Sequence, residues 1–114
     1  MEGQSTRQLK VAREVQRHLA EIIRRRPMSQ FGGAMLSVSE VRISPDLSQA
    51  KVFVSVFPSD KQQSAMKILA EQKSSIRGEL GREVAQQLRI VPDLDFYLDT
   101  TLDYAEHIEE LLKK

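Results

Sequence analysis

Acid–base or metal chemistry in this chain would have to come from very few side chains. His18 and His107 are its two histidines, and it has no cysteine. The histidines fall in different helical stretches, near no obvious acid–base partner in the sequence, and both read as surface residues. Asp95, Asp99 and Asp103 resemble a metal cluster at first sight. Asp95 and Asp99 share a strand face, which leaves room for a weak divalent site, but acidic cover of a strand edge is the commoner meaning. There is no P-loop, nucleotide fingerprint or Gly-x-Ser-x-Gly elbow. Without cysteine, disulfides, zinc-thiolate sites and cysteine nucleophiles are excluded. The chain reads as non-catalytic, with no cofactor and no metal.

Binding chemistry is better represented. The net charge of +1 conceals an asymmetry. Residues 1–92 carry 15 Lys or Arg against 9 Asp or Glu, a balance of +6, whereas residues 93–114 balance at −5. A basic body with an acidic end can still engage a polyanion through its basic face. The candidate contacts are Arg24, Arg25 and Arg26, then Lys67, Lys73, Arg77, Arg82 and Arg89. Each has a bland alternative. The three consecutive arginines close a helix, where positive charge favours the macrodipole without any ligand. Arg89 has a rival role as the ion-pair partner of a nearby acid such as Asp93, and the others are ordinary solvated charges one by one. Phe53, Phe57 and Phe96 are expected in the core, and Phe31 and Tyr97 on the surface. So few stacking platforms favour recognition of a nucleic acid's shape and backbone over its sequence.

The elements that position these residues follow from periodicity. Leu9, Ala12, Val15, Leu19, Ile22 and Ile23 recur at helical spacing, predicting a helix over 5–26 that Pro27 ends. Phe31-Gly32-Gly33 is expected to be a flexible connection. Strands follow at 36–43 and 51–57, with a bulge or two-sided burial between Val38 and Val41. The Ser44-Pro45-Asp46-Leu47-Ser48 turn makes them an antiparallel hairpin. Ser59 and Gln62 are placed to form a capping box for a second helical region. Unbroken from Lys61 to Leu88, that region would be about 42 Å long, so a break is expected between Glu71 and Gly81. A third strand alternates Leu94, Phe96 and Leu98 with Asp95, Tyr97 and Asp99. Thr100 or Thr101 would cap a last short helix bearing Ala105, Ile108, Leu111 and Leu112. Residues 1–114 thus read as one small α+β domain, a two-layer sandwich of order α-β-β-α-α-β, with a short flexible N-terminus at 1–5. No leader or membrane-length apolar run is present, so a cytoplasmic protein is expected, and with no sign of oligomerisation a monomer is the default.

Two segments carry a family resemblance. One is V-S-E-V-R-I-S-P-D-L-S-Q-A-K-V, Val38 to Val52. The other joins I-R-G-E-L-G, Ile76 to Gly81, with L-R-I-V-P-D-L-D-F-Y-L-D, Leu88 to Asp99. Together they resemble ribosome-binding factor A, a bacterial maturation factor of the small ribosomal subunit, over roughly Gln8 to Leu112. The resemblance implies a type II KH-like fold with a three-stranded sheet. It also implies binding to 16S ribosomal RNA in the precursor of the 30S subunit, help with late maturation and 5′-end processing, and a role in cold adaptation, with no cofactor. The family's inter-helix kink, generally Ala-x-Gly, would fall at Gln72-Lys73-Ser74, which has neither the alanine nor the glycine.

Gly78-Glu79-Leu80-Gly81 spells the G-x-x-G with which KH domains clamp phosphates. Here Glu79 would repel a phosphate and Leu80 sits on the apolar stripe. The segment therefore reads as helix carrying two glycines rather than as a loop. The competing functional class is a protein-interaction module, docking on ribosomal proteins or an assembly GTPase through the acidic C-terminal segment.

Overall fold

The computed structural model describes residues 5–99, Arg89 excepted. The first helix, α1 (Thr6–Arg25), buries Val11, Ala12, Val15, Leu19, Ile22 and Ile23. Its start is fixed by a capping box: the Gln8 N–H donates to Ser5 Oγ at 3.1 Å, and the Ser5 N–H donates to Gln8 Oε1 at 2.8 Å. Such a box satisfies two of the donors that a helix N-terminus leaves orphaned. Gln8 also donates from Nε2 to the Ile43 carbonyl at 2.8 Å, tying this end of α1 to the sheet. The N-cap of the second helical region falls at Lys61 rather than at Ser59. A 3-10 turn, Ser59–Lys61, intervenes, and α2 (Gln62–Glu71) starts without a side-chain cap.

After Pro27 the chain makes a 3-10 turn, Met28–Phe31, then passes through Gly32 and Gly33 at φ 68° and 85°. Those left-handed conformations need glycine, and they turn the chain into the first strand. The connection expected to be flexible is anchored by Phe31, which is only 2% exposed and belongs to the core. This corrects the expectation that Phe31 is a surface aromatic. Helix α1 ends at Arg25, ahead of Pro27, and the turn that follows packs Phe31 into the core on the side of α2.

Strand β1 (Met35–Ile43) pairs antiparallel with β2 (Gln49–Phe57), as the hairpin reading predicts. Val38 faces Val54 and Glu40 faces Phe53, so Ser39 is the extra residue of a bulge. The bulge restores parity: Leu36 and Val38 before it, and Val41 and Ile43 after it, oppose β2 residues of the same inward face. Strand β3 (Asp93–Leu98) lies on the other side of β2 and runs parallel to it, with Leu94 beside Ala50 and Phe96 beside Val52. The sheet is therefore mixed, with β2 central.

Between β2 and β3 come α2 and α3 (Lys73–Val84), joined at Gln72, whose φ −94° and ψ 5° break the helix. The break falls inside the expected window and at the start of the segment named for the kink. Ala65, Leu69, Ile76, Leu80 and Val84 from these helices meet α1 and the valines of β2 in one cluster. Full removal of each such Leu, Ile or Val side chain from water stabilises by roughly 1.5–3 kcal/mol. Helices α1, α2 and α3 lie on one face of the sheet, the two-layer α+β arrangement expected. The opposite face is open among the described residues. There Phe53 and Tyr97 stack at 5.6 Å, and Tyr97 is 43% exposed, as expected of it. Phe53 and Phe57, both expected in the core, lie on this face instead, Phe57 being 54% exposed, because their positions in the alternation of β2 turn them outward. No helix among the described residues is long and apolar enough to cross a membrane. The expected helix after Thr100 lies outside the described residues.

Candidate nucleic-acid interface

The arginine run at the end of α1 is largely committed inside the molecule. Residues 79 and 83 are one helical turn apart, so α3 presents Glu79 and Glu83 on one face. Arg25 donates to Glu79 at 3.2 Å and also to Glu83. Arg26 donates from Nη2 to Glu79 at 2.9 Å and from Nη1 to Gln72 at 2.8 Å, and its side chain is 16% exposed. Arg24, on the outer side, pairs with Glu21 one turn back at 2.6 Å and stays exposed.

His18 joins the same α1–α3 seam. Its Nδ1 lies 3.0 Å from Glu83, and its Nε2 lies 3.3 Å from Arg17 and 3.7 Å from Glu14. The side chain is half-buried among these groups, so the reading of His18 as a partnerless surface histidine is corrected. The Glu83 partner was invisible in sequence because it is 65 residues away. The guanidinium of Arg25, and then the His18 ring, hold the Glu83 carboxyl below the usual carboxylate range. The cluster is a latch between two helices, and no nucleophile adjoins it among the described residues.

The central helices divide in the same way. Arg77 donates from Nε to the Pro92 carbonyl at 3.1 Å and from Nη2 to the Val91 carbonyl at 2.7 Å, and it lies 3.2 Å from Asp93. It thus fills the ion-pair role considered for Arg89, a residue outside those described. Lys73 is 3.7 Å from Asp95, an exposed and weak pairing. Lys67 and Arg82 are exposed and have no acidic partner among the described residues. On α1, Arg7, Lys10 and Arg13 share that condition and lie within about 120° of one another around the helix. These three were not singled out from the sequence. A signal existed: Arg17 and Arg24 each have a glutamate three residues back, and Arg7 and Arg13 do not.

The G-x-x-G string lies wholly inside α3, with Leu80 fully buried and Glu79 turned to the arginines of α1. It is helix, as read from sequence. Asp95 and Asp99 are drawn to separate partners among the described residues. Asp95 faces Lys73, Asp99 accepts from Ser39 Oγ at 2.6 Å, and Asp103 lies outside the described residues, as does His107. Among the described residues no group of three potential ligands comes together.

The remaining arrangement is an α+β body whose helical layer carries cations with no acidic partner among the described residues. The family model described as ribosome-binding factor A matches residues 7–112. The chain belongs to that family. A ribosome-binding factor A from Christiangramia forsetii is 40% identical over 112 residues, covering 96% of this chain and 85% of that protein. One from Cytophaga hutchinsonii is 36% identical over 111 residues, covering 97% and 84%. The crystal structure of ribosome-binding factor A from Thermus thermophilus is similar with a TM-score of 0.68 at 26% identity, over 80% of this chain and 93% of that one. Coordinates of the Thermus thermophilus factor fitted into the cryo-EM map of its 30S complex are similar with a TM-score of 0.64 at 27% identity, over 77% and 90%. The fold is KH-like, and the family is one of ribosome-binding factors.

Proposed function

We propose that this chain binds 16S ribosomal RNA in the free or precursor 30S subunit. There it assists late maturation, including processing of the 5′ end, without itself catalysing a step. The observation that carries this reading is the set of exposed cations on the helical layer with no acidic partner among the described residues: Arg7, Lys10 and Arg13 on α1, Lys67 on α2 and Arg82 on α3. Cations already paired inside the fold gain little from a phosphate, whereas unpaired ones release counterions from RNA when they bind it. Of the eight basic residues named from sequence, Lys67 and Arg82 are the foremost phosphate contacts. Arg24 and Lys73 come next, held only by exposed pairs. Arg25, Arg26 and Arg77 act first on the fold. The family membership and the relative placed in a 30S complex support the choice of target.

Co-sedimentation with precursor and mature small subunits across salt concentrations tests the proposal. Preferential binding to the precursor, weakening log-linearly with salt, is expected. Binding that survives replacement of Arg7, Lys10, Arg13, Lys67 and Arg82 by alanine would sink it and would favour docking on ribosomal proteins or an assembly GTPase.

A further inference from the structure

A cleft of about 580 Å³ opens where the start of α1, the hairpin turn and the segment between α3 and β3 converge. Its lining is apolar along Val11, Leu47, Leu88 and Ile90 and carries the amides of Gln86 and Gln87. Arg7 and Lys10 stand at its rim, with no acidic partner among the described residues. Glu14, the acid on the rim, is engaged by Arg17 at 2.7 Å.

We propose that this cleft binds one unpaired nucleotide of single-stranded RNA, with the base against the apolar lining and the flanking phosphates on Arg7 and Lys10. The volume is that of a small-molecule site. A base stacked inside a helix cannot reach an apolar lining, whereas a splayed base can. Side-chain amides supply both a donor and an acceptor for a base edge. The charge at the mouth is positive, which complements a nucleotide and disfavours an acidic or purely apolar occupant.

One wall of the cleft is unusually fixed. Leu47 has φ 65°, a left-handed conformation disfavoured for a leucine. Asp46 holds the turn: its Oδ1 accepts from Ser44 Oγ at 2.7 Å, Ser48 Oγ at 2.8 Å and the Ser48 N–H at 3.1 Å. Strained backbone persists where the surroundings over-determine it, often at binding sites. Ile90, a second wall, is 55% exposed, so its apolar surface is available. The cleft is distinct from the kink at Gln72. Gln86 and Gln87 follow the far end of α3, about 18 Å along its axis. This inference rests on the RNA-binding reading above.

The test uses the full chain, methyl-labelled and titrated with a short single-stranded oligoribonucleotide or a duplex of equal length. The single strand should shift the methyl resonances of Val11, Leu47, Leu88 and Ile90, leave those of Leu69 unmoved, and do so more strongly than the duplex. Arg7→Ala with Lys10→Ala should weaken that binding by about tenfold. Leu47→Gly, which removes the wall and relaxes the backbone, should weaken it while the protein stays folded. If the oligonucleotide binds but the cleft methyls stay still, the cleft proposal falls and RNA binding stands. If neither the oligonucleotide nor precursor subunits bind, both fall.

Discussion

Arg26 donates to Glu79 at 2.9 Å, joining the end of α1 to the middle of α3. Glu79 is the residue inside the Gly78–Gly81 string that most resembles a phosphate-binding loop, and its carboxylate is spent on arginine. The pairing explains why an acid sits there. It also draws two of the three consecutive arginines into the fold.

Glu79→Ala should therefore act on stability. It leaves the half-buried Arg26 guanidinium without its carboxylate, at a cost of roughly 1–3 kcal/mol. Denaturant titration would show this as a lower midpoint with an unchanged slope. A midpoint within error of the parent would mean the pair contributes nothing.

Gly78→Ala and Gly81→Ala should each stabilise the protein by up to ~1 kcal/mol, because both positions are helical and alanine is the better helix former. There is room: a Cβ at Gly78 would meet only Arg82 Nη1 at 3.9 Å, and at Gly81 only Val91 at 3.5 Å and 4.0 Å. Affinity for precursor subunits should not change. Loss of affinity with a raised melting temperature would restore these glycines as a phosphate clamp.

The latch at Glu83 predicts an acid-sensitive contribution to stability. Arg25 first, and His18 second, lower its folded pKa below the ordinary 4.5. A depressed carboxylate contributes stability above its unfolded pKa and loses it as pH falls through the folded one. The parent should lose stability as pH drops below about 4.5, and Glu83→Gln should lose less in that window while being weaker above it. Parallel curves for the two proteins would contradict the assignment.

Lys67→Ala and Arg82→Ala should each reduce the salt slope of RNA binding by roughly 0.7–1, with little effect on folding. Arg77→Ala should do the reverse. Its guanidinium holds the carbonyls of Val91 and Pro92, which set the entry to β3. A change of salt slope with Arg77→Ala and none with Lys67→Ala would reverse the roles given to them.

Local pattern determined much of this protein. The 3.6-residue spacing from Leu9 to Ile23, the alternation of Val52, Val54 and Val56, and the Pro45 turn each follow from interactions within a few residues, so helix and hairpin were legible in the chain itself, and the bulge as one of two readings. The helical nature of Gly78–Gly81 was legible too, since Leu80 falls on an apolar stripe. Tertiary structure alone decided which cations are drawn into pairs between elements. Glu79 and Glu83 lie more than fifty residues from Arg25, and only the packing of α1 on α3 brings them within reach. The same holds for His18 beside Glu83, and for Phe31, which the turn after Pro27 folds into the core. It holds also for the cleft at Leu47, whose three walls come from three separated segments. Periodicity reports which face of an element is buried. It cannot report which charge on the other face will meet its opposite, because that depends on how the elements are set against one another.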